Sequence, residues 1–175
     1  LQPFNVRILA AKRDAMHPQD DDYEIEGHGD PKGDFFARLY PGEAIKSMIK
    51  ECDFVVICLP LTPITRGLIG EDVISSMKPG AYLVDVSRGG IIDHAALIAA
   101  LQEKKVAGAA LDVFPEEPLP ASSPLWKMPN VLISPHVSGI SLHYASRAVA
   151  VFSTNLHRYL HKMPLLNQYD PLRGY

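Results

Sequence analysis

The sequence predicts an α/β fold organised around a doubly wound parallel sheet, and three observations lead there. Five short apolar runs recur along the chain with little polar alternation, the pattern of strands buried on both faces. Helical periodicities fall between them, and strands alternating with helices build parallel sheets. At 175 residues, with 47% hydrophobic and 21% charged side chains, the chain has the length and composition for one domain with a sizeable core.

The first run, NVRILAA (5–11), follows the N-terminal Leu1 almost at once, so the chain is expected to begin in mid-domain. Residues 14–42, which include QDDDYEIEGHGDPKGDFF, are rich in Asp and Gly and carry little period. They predict a long surface insertion with a short edge strand around 36–40. Ile45, Met48, Ile49 and Cys52 stand at i, i+3, i+4 and i+7, which predicts a helix ahead of the second strand, FVVICL (54–59). The third strand is AYLVDV (81–86), and a helix capped by Asp93 follows it with Leu97, Ala100 and Leu101 on one face. VAGAALDV (106–113) and NVLISP (130–135) complete the strands. A last helix over about 141–161 lines up Leu142, Ala145, Val149, Phe152, Leu156 and Tyr159 in an apolar stripe that must pack on something. The tail MPLLNQYDPLRGY is expected to be an extended arm.

Bulk properties exclude several classes. A net charge of -3 gives no basic field for nucleic acid. No apolar run approaches the ~18 residues of a membrane span, and the N-terminus lacks the layout of a signal peptide, so a cytoplasmic protein without membrane partners is expected. Cys52 and Cys58 form neither a Cys-x-x-Cys pair nor a zinc spacing, which suits a reducing compartment. No metal site is expected: His157 and His161 lie at i, i+4 without the Glu of a metalloprotease helix, and Asp20, Asp21 and Asp22 lack calcium-loop spacing. VSRGG is not the Gly-x-Ser-x-Gly elbow of a hydrolase.

In an open parallel sheet, ligands bind beyond the carboxyl ends of the strands. The residues found there are Lys12 and Arg13, then Pro60 and Thr62, then Ser87 and Arg88, then Asp112 and Glu117, and finally His136. Arg88 ends an apolar strand, and an arginine there calls for either a structural carboxylate or a bound anion. Gly89 and Gly90 behind it, open to close approach by a ligand, favour bidentate capture of a carboxylate. His136 alone reads first as a hydrogen-bonded core histidine, the commoner fate of one His after an apolar strand. With Glu117 on the same edge, a carboxylate–imidazole pair for proton transfer becomes the better reading.

Several linked stretches in order, LPLTPITRG (59–67), LVDVSRGG (83–90), LDVFPEEP (111–118) and SPHVSG (134–139), resemble the NAD(P)-binding domain of the D-isomer-specific 2-hydroxyacid dehydrogenases. The resemblance is dense through 53–140 and looser towards both ends. It implies a Rossmann-like sheet and an oxidoreductase moving a hydride between NAD(P)H and a small 2-keto or D-2-hydroxy acid, of the glyoxylate/hydroxypyruvate reductase kind. By the same resemblance Arg88 holds the substrate carboxylate and keto oxygen, His136 is the acid–base group, and Glu117 hydrogen-bonds it and raises its pKa. Asp112 receives the nicotinamide carboxamide, and Pro60, Thr62, Thr65, Val86, Ser87, Ser138 and Gly139 line the cofactor. Lys12 and Arg13 end the first strand where an NAD-preferring fold places an acid, so NADP(H) is expected to be preferred, with NAD(H) possible.

No Gly-x-Gly-x-x-Gly occurs in the sequence. The resemblance therefore implies a sheet incomplete at its N-terminal βα unit: residues 1–140 form a partial Rossmann domain without the first strand and glycine loop. Residues 141–175 form a helix and tail that pack towards a substrate domain. The expected protein is the C-terminal part of a longer dehydrogenase, inactive by itself, whose family assembles as homodimers through this domain. A non-catalytic dinucleotide-sensing or dimerisation module of the same family is the alternative.

Overall fold

The computed structural model describes all residues except 1, 20–22, 24, 26, 173 and 175, which places Asp20, Asp21 and Asp22 outside the described residues. The chain divides into two units, one of residues 1–41 and 140–172, the other of residues 42–139 and 173–175. Each has its own parallel sheet.

In the first unit, β1 (Leu9–Lys12) pairs in parallel with β2 (Arg38–Pro41). β1 is shorter at its front than the apolar run suggested, because Asn5 takes a left-handed φ of 51° and breaks the extended backbone. The intervening segment is less loose than its composition implies. Asp30 accepts from the Asp34 and Phe35 amides, each at 2.8 Å, and closes a turn that leads into β2. Helix α4 (Tyr144–Leu160) occupies the expected stretch. Its apolar stripe lies open rather than packed, with Val149 62%, Phe152 67% and Tyr159 69% exposed. The tail after α4 is stitched back to it by Asn155, which exchanges two bonds with the Leu166 backbone at 2.8 and 3.0 Å.

In the second unit, α1 (Ile45–Ile49), β3 (Phe54–Ile57), α2 (Glu71–Ile74), β4 (Tyr82–Asp85), α3 (His94–Gln102), β5 (Gly108–Leu111) and β6 (Val131–Ile133) follow in order. The strands lie β3-β4-β5-β6, all parallel, as the strand–helix alternation requires. Asp93 caps α3 as expected, accepting from the Ala95 and Ala96 amides. Four-residue α2 escaped the sequence reading because one helical turn is too short to show a period.

Burial in this sheet is one-sided. Val55, Ile57, Leu83, Ala109 and Leu111 pack against Ile45 and Ile49 of α1, Val73 and Ile74 of α2, and Leu97 and Leu101 of α3. On the opposite face Phe54, Val56, Tyr82 and Leu132 are 45–74% exposed. Strands buried on both faces were expected; here α1, α2 and α3 all cover the same side. Among the described residues no helix is long and apolar enough to cross a membrane.

Candidate active site

The C-terminal ends of β3, β4, β5 and β6 carry most of the residues picked out by position, and all of these belong to the second unit. Cys58 to Leu61, after β3, and Val86 to Arg88, after β4, line a cleft of about 620 Å³. The loop after β3 is self-braced. The Thr65 hydroxyl donates to the Pro60 carbonyl at 2.6 Å, and Thr62 and Thr65 each accept the other's amide at 2.8 and 3.2 Å. Pairing of Ile69 with Ile92, supported by Gly67 N–H on the Gly90 carbonyl at 2.8 Å, ties this loop to the one after β4. Thr62 and Thr65 therefore build the wall whose rim is Pro60 and Leu61.

Arg88 is exposed at the strand end, and its Nη1 donates to the Ser87 carbonyl at 2.7 Å. Among the described residues no carboxylate pairs with it. Because the guanidinium is exposed, it needs neither of the two partners that a buried strand-end arginine would. Ser87 is buried, its amide and hydroxyl both given to Asp85.

Gly89 is needed for a reason other than ligand approach. A side chain there would meet the Phe114 carbonyl oxygen at 1.8 Å, so the loop after β4 rests directly on the loop after β5. Phe114 N–H in turn donates to Glu117 Oε1 at 2.9 Å, and Glu117 Oε2 lies 2.8 Å from His136 Nδ1. The His136 ring, helped by the Phe114 amide, holds the Glu117 carboxyl below the usual carboxylate range. With Nδ1 engaged by Glu117, Nε2 is the ring atom left for a substrate.

His136 itself has a left-handed φ of 54°. A non-glycine residue held there costs about 1–3 kcal/mol and persists only where its surroundings over-determine it. Asp112, 2% exposed, supplies that constraint. Its backbone carbonyl accepts the His136 amide at 2.9 Å, Oδ1 accepts Val137 N–H at 2.9 Å and the Ser134 hydroxyl at 2.6 Å, and Oδ2 accepts Ser138 N–H at 2.9 Å. Burial alone would push the Asp112 carboxyl up, but hydrogen bonds from Ser134, Ser138 and Val137 outweigh it and hold the group well below its ordinary value. Ser138 and Gly139 are exposed beyond His136. Ser134, Phe114 and Asp85 were missed by the sequence reading; Asp85 could have been found, since a carboxylate inside LVDV raises the question asked of Arg88.

Lys12 and Arg13 end β1 in the first unit. The Lys12 ammonium donates to three successive carbonyls, those of His17 at 3.1 Å, Pro18 at 3.4 Å and Gln19 at 2.8 Å. That uses all three of its N–H groups.

Comparison with known proteins bears on this arrangement. The family described as D-isomer specific 2-hydroxyacid dehydrogenase, NAD binding domain, matches residues 28–138. A glyoxylate reductase from Korarchaeum cryptofilum (strain OPF8) is 42% identical over 112 residues, covering 64% of this chain and 34% of that protein. A D-isomer specific 2-hydroxyacid dehydrogenase from Xanthobacter autotrophicus Py2, solved in complex with NADPH and MES, aligns with a TM-score of 0.76 at 42% identity over 81% of this chain and 46% of that one. An NADPH-dependent glyoxylate/hydroxypyruvate reductase from Sinorhizobium meliloti, in complex with NADP and sulfate, aligns with a TM-score of 0.79 at 27% identity over 99% of this chain and 51% of that one. The chain spans about a third of the length of the curated relatives and about half of the solved chains.

Proposed function

The chain belongs to the D-isomer-specific 2-hydroxyacid dehydrogenase family through its NAD-binding domain, and on that premise we propose that it carries the reacting groups of an enzyme reducing a small 2-keto acid, such as glyoxylate or hydroxypyruvate, to the D-2-hydroxy acid. One observation carries the reading: Arg88 presents a guanidinium at the cleft with no carboxylate partner among the described residues, while the Glu117–His136 pair stands on the same sheet edge. β4 and β6 flank β5, so their ends lie roughly 10 Å apart, a span that a keto acid and the two side chains can bridge.

Arg88 takes the substrate carboxylate and keto oxygen in its fork. Glu117 orients the His136 ring and favours its charged form through Nδ1, and Nε2 gives its proton to the keto oxygen. When bound, the reduced nicotinamide supplies the hydride that the carbonyl carbon accepts, and in the reverse direction His136 takes the hydroxyl proton back. The cleft between Pro60, Leu61 and Val86 has the apolar lining and size to hold a nicotinamide riboside. Asp112, beyond the end of β5, serves the carboxamide, and Ser87, Ser138 and Gly139 border the same edge.

NADP(H) is the preferred cofactor in this reading, because the end of β1 is basic. The enzyme works as a homodimer in the cytoplasm on free acids; Cys52 and Cys58 are thiols rather than a disulfide, which suits that compartment. The test is initial-rate oxidation of NADPH and NADH with glyoxylate and hydroxypyruvate, using the polypeptide at its native length. Arg88→Lys is expected to lose most of kcat/KM, since a point charge cannot reproduce the guanidinium fork. Nucleotide binding without turnover of any 2-keto acid would replace the enzyme by a dinucleotide sensor.

A further inference from the structure

Pro135 leaves a gap in the row of backbone donors that runs from β6 into the loop of His136. The Ser134 amide continues the sheet ladder, donating to the Leu111 carbonyl at 3.0 Å, and the His136 amide donates to the Asp112 carbonyl at 2.9 Å. Between them a proline has no N–H to give. The Ser134 hydroxyl supplies a donor at this point instead, reaching Asp112 Oδ1 at 2.6 Å, against 2.9 Å for the two amides on the same carboxylate.

This donor differs in kind from those two. The Val137 and Ser138 amides belong to the loop that Asp112 has to hold, beyond the end of β6. Ser134 is fixed independently of it: its amide is in the ladder, and the proline behind it confines it to extended backbone. A carboxylate turns easily about its last side-chain torsion, which is broad and two-fold. Of the three groups that meet the Asp112 carboxylate, Ser134 is thus the one through which the sheet can fix its rotation. The bond is sheltered as well, with Ser134 half-buried and Asp112 buried.

What depends on that rotation lies one step further on. Asp112 holds the amides on the far side of His136, and His136 keeps its φ of 54° against the strain of that conformation. The ring so placed meets Glu117 Oε2 at 2.8 Å through Nδ1. We propose that Ser134 is a positioning residue for His136: its hydroxyl locks the Asp112 carboxylate, which holds residues 136–138 in the conformation that presents the ring. The inference rests on the acid–base role given to His136 above.

Steady-state kinetics of the polypeptide at native length, with NADPH and glyoxylate or hydroxypyruvate, test it. Ser134→Ala is expected to lower kcat roughly tenfold or more, with KM for the 2-keto acid within about threefold, because Arg88 is untouched. Ser134→Thr keeps the hydroxyl and is expected to stay within about threefold of the parent in kcat. Ser134→Val has the shape of threonine without the hydroxyl and is expected to fall as the alanine variant does, so this pair also serves if the alanine variant does not fold. In a His136→Ala background, Ser134→Ala is expected to change kcat less than about twofold, since a residue that acts through the ring has nothing left to act on. A merely structural serine would cost the same in both backgrounds. Equal losses there, an unchanged kcat in Ser134→Ala, or equal kcat in the threonine and valine variants overturns the proposal. Hydrogen exchange supplies a readout that needs no turnover: the Val137 and Ser138 amides are expected to exchange roughly tenfold faster in Ser134→Ala than in the parent, and unchanged exchange overturns the proposal too. If the unaltered polypeptide turns over no 2-keto acid, the proposed function fails, while amide exchange still reports on the hold of Ser134 over Asp112.

Discussion

His136 sits in a left-handed backbone conformation with one ring nitrogen on Glu117, and the conformation is maintained by Asp112 through the backbone amides of residues 136–138. Replacing His136 by Ala is expected to lower kcat by roughly 10²–10⁴-fold, the usual worth of a positioned proton donor, with nucleotide affinity nearly intact. Turnover left unchanged would remove His136 from the chemistry. The carboxylates of this sheet edge differ in sign. Glu117 and Asp112 titrate below their ordinary values of 4.5 and 3.8 in the folded chain, so the stability they contribute is present above those values and is lost as pH falls through the folded ones. Asp85 titrates above 3.8, so its contribution is full in acid and declines as pH rises through the folded value. Asp85→Asn abolishes that decline. The melting temperature of the variant relative to the parent chain is therefore expected to climb from about pH 4 towards neutrality, and a pH-independent difference would mean that Asp85 titrates alike folded and unfolded.

At the scale of elements, the four loops beyond β3, β4, β5 and β6 are fastened to one another rather than individually rigid. Gly89 is the tightest of these junctions, with no room for even one carbon against the Phe114 carbonyl. Gly89→Ala is expected to lower both the melting temperature and turnover, as the loops carrying Arg88 and Glu117 are pushed apart; an active variant of unchanged stability would show the contact to be slack. The strands, α3 with its Asp93 cap, and the place of Arg88, Glu117 and His136 beyond the strand ends could be read from the sequence, because apolar runs, a capping carboxylate and charged strand ends are local signals. What could not be read depends on contacts across the sheet. The role of Asp112 as the anchor of residues 134–138 needs β5 and β6 to be adjacent, and the need for Gly89 arises from a carbonyl 25 residues later in the chain. The stripe on α4 was legible, whereas its exposure was not, because periodicity reports which face is apolar and says nothing of what covers it.

At the scale of the whole chain, a net charge of -3 would not draw anions in, so in the proposed function capture of a keto acid and a phosphorylated nucleotide falls to local cations. In the proposed function Arg88 serves the first and the basic end of β1 the second. Arg13→Ala is expected to weaken NADPH binding roughly ten- to a hundred-fold while leaving NADH nearly unchanged, the worth of one charge-assisted contact. Equal losses for both nucleotides would place the phosphate preference elsewhere. Lys12 belongs to a different task, because its ammonium is the hub of three carbonyl oxygens from His17, Pro18 and Gln19. Anyone redesigning this fold to run on NAD(H) would be drawn to exchange Lys12 for an acid, the side chain that grips a ribose hydroxyl. Here that exchange would set a carboxylate against three carbonyl dipoles and spring the turn open, so the route to a changed cofactor leads through Arg13 with Lys12 left in place.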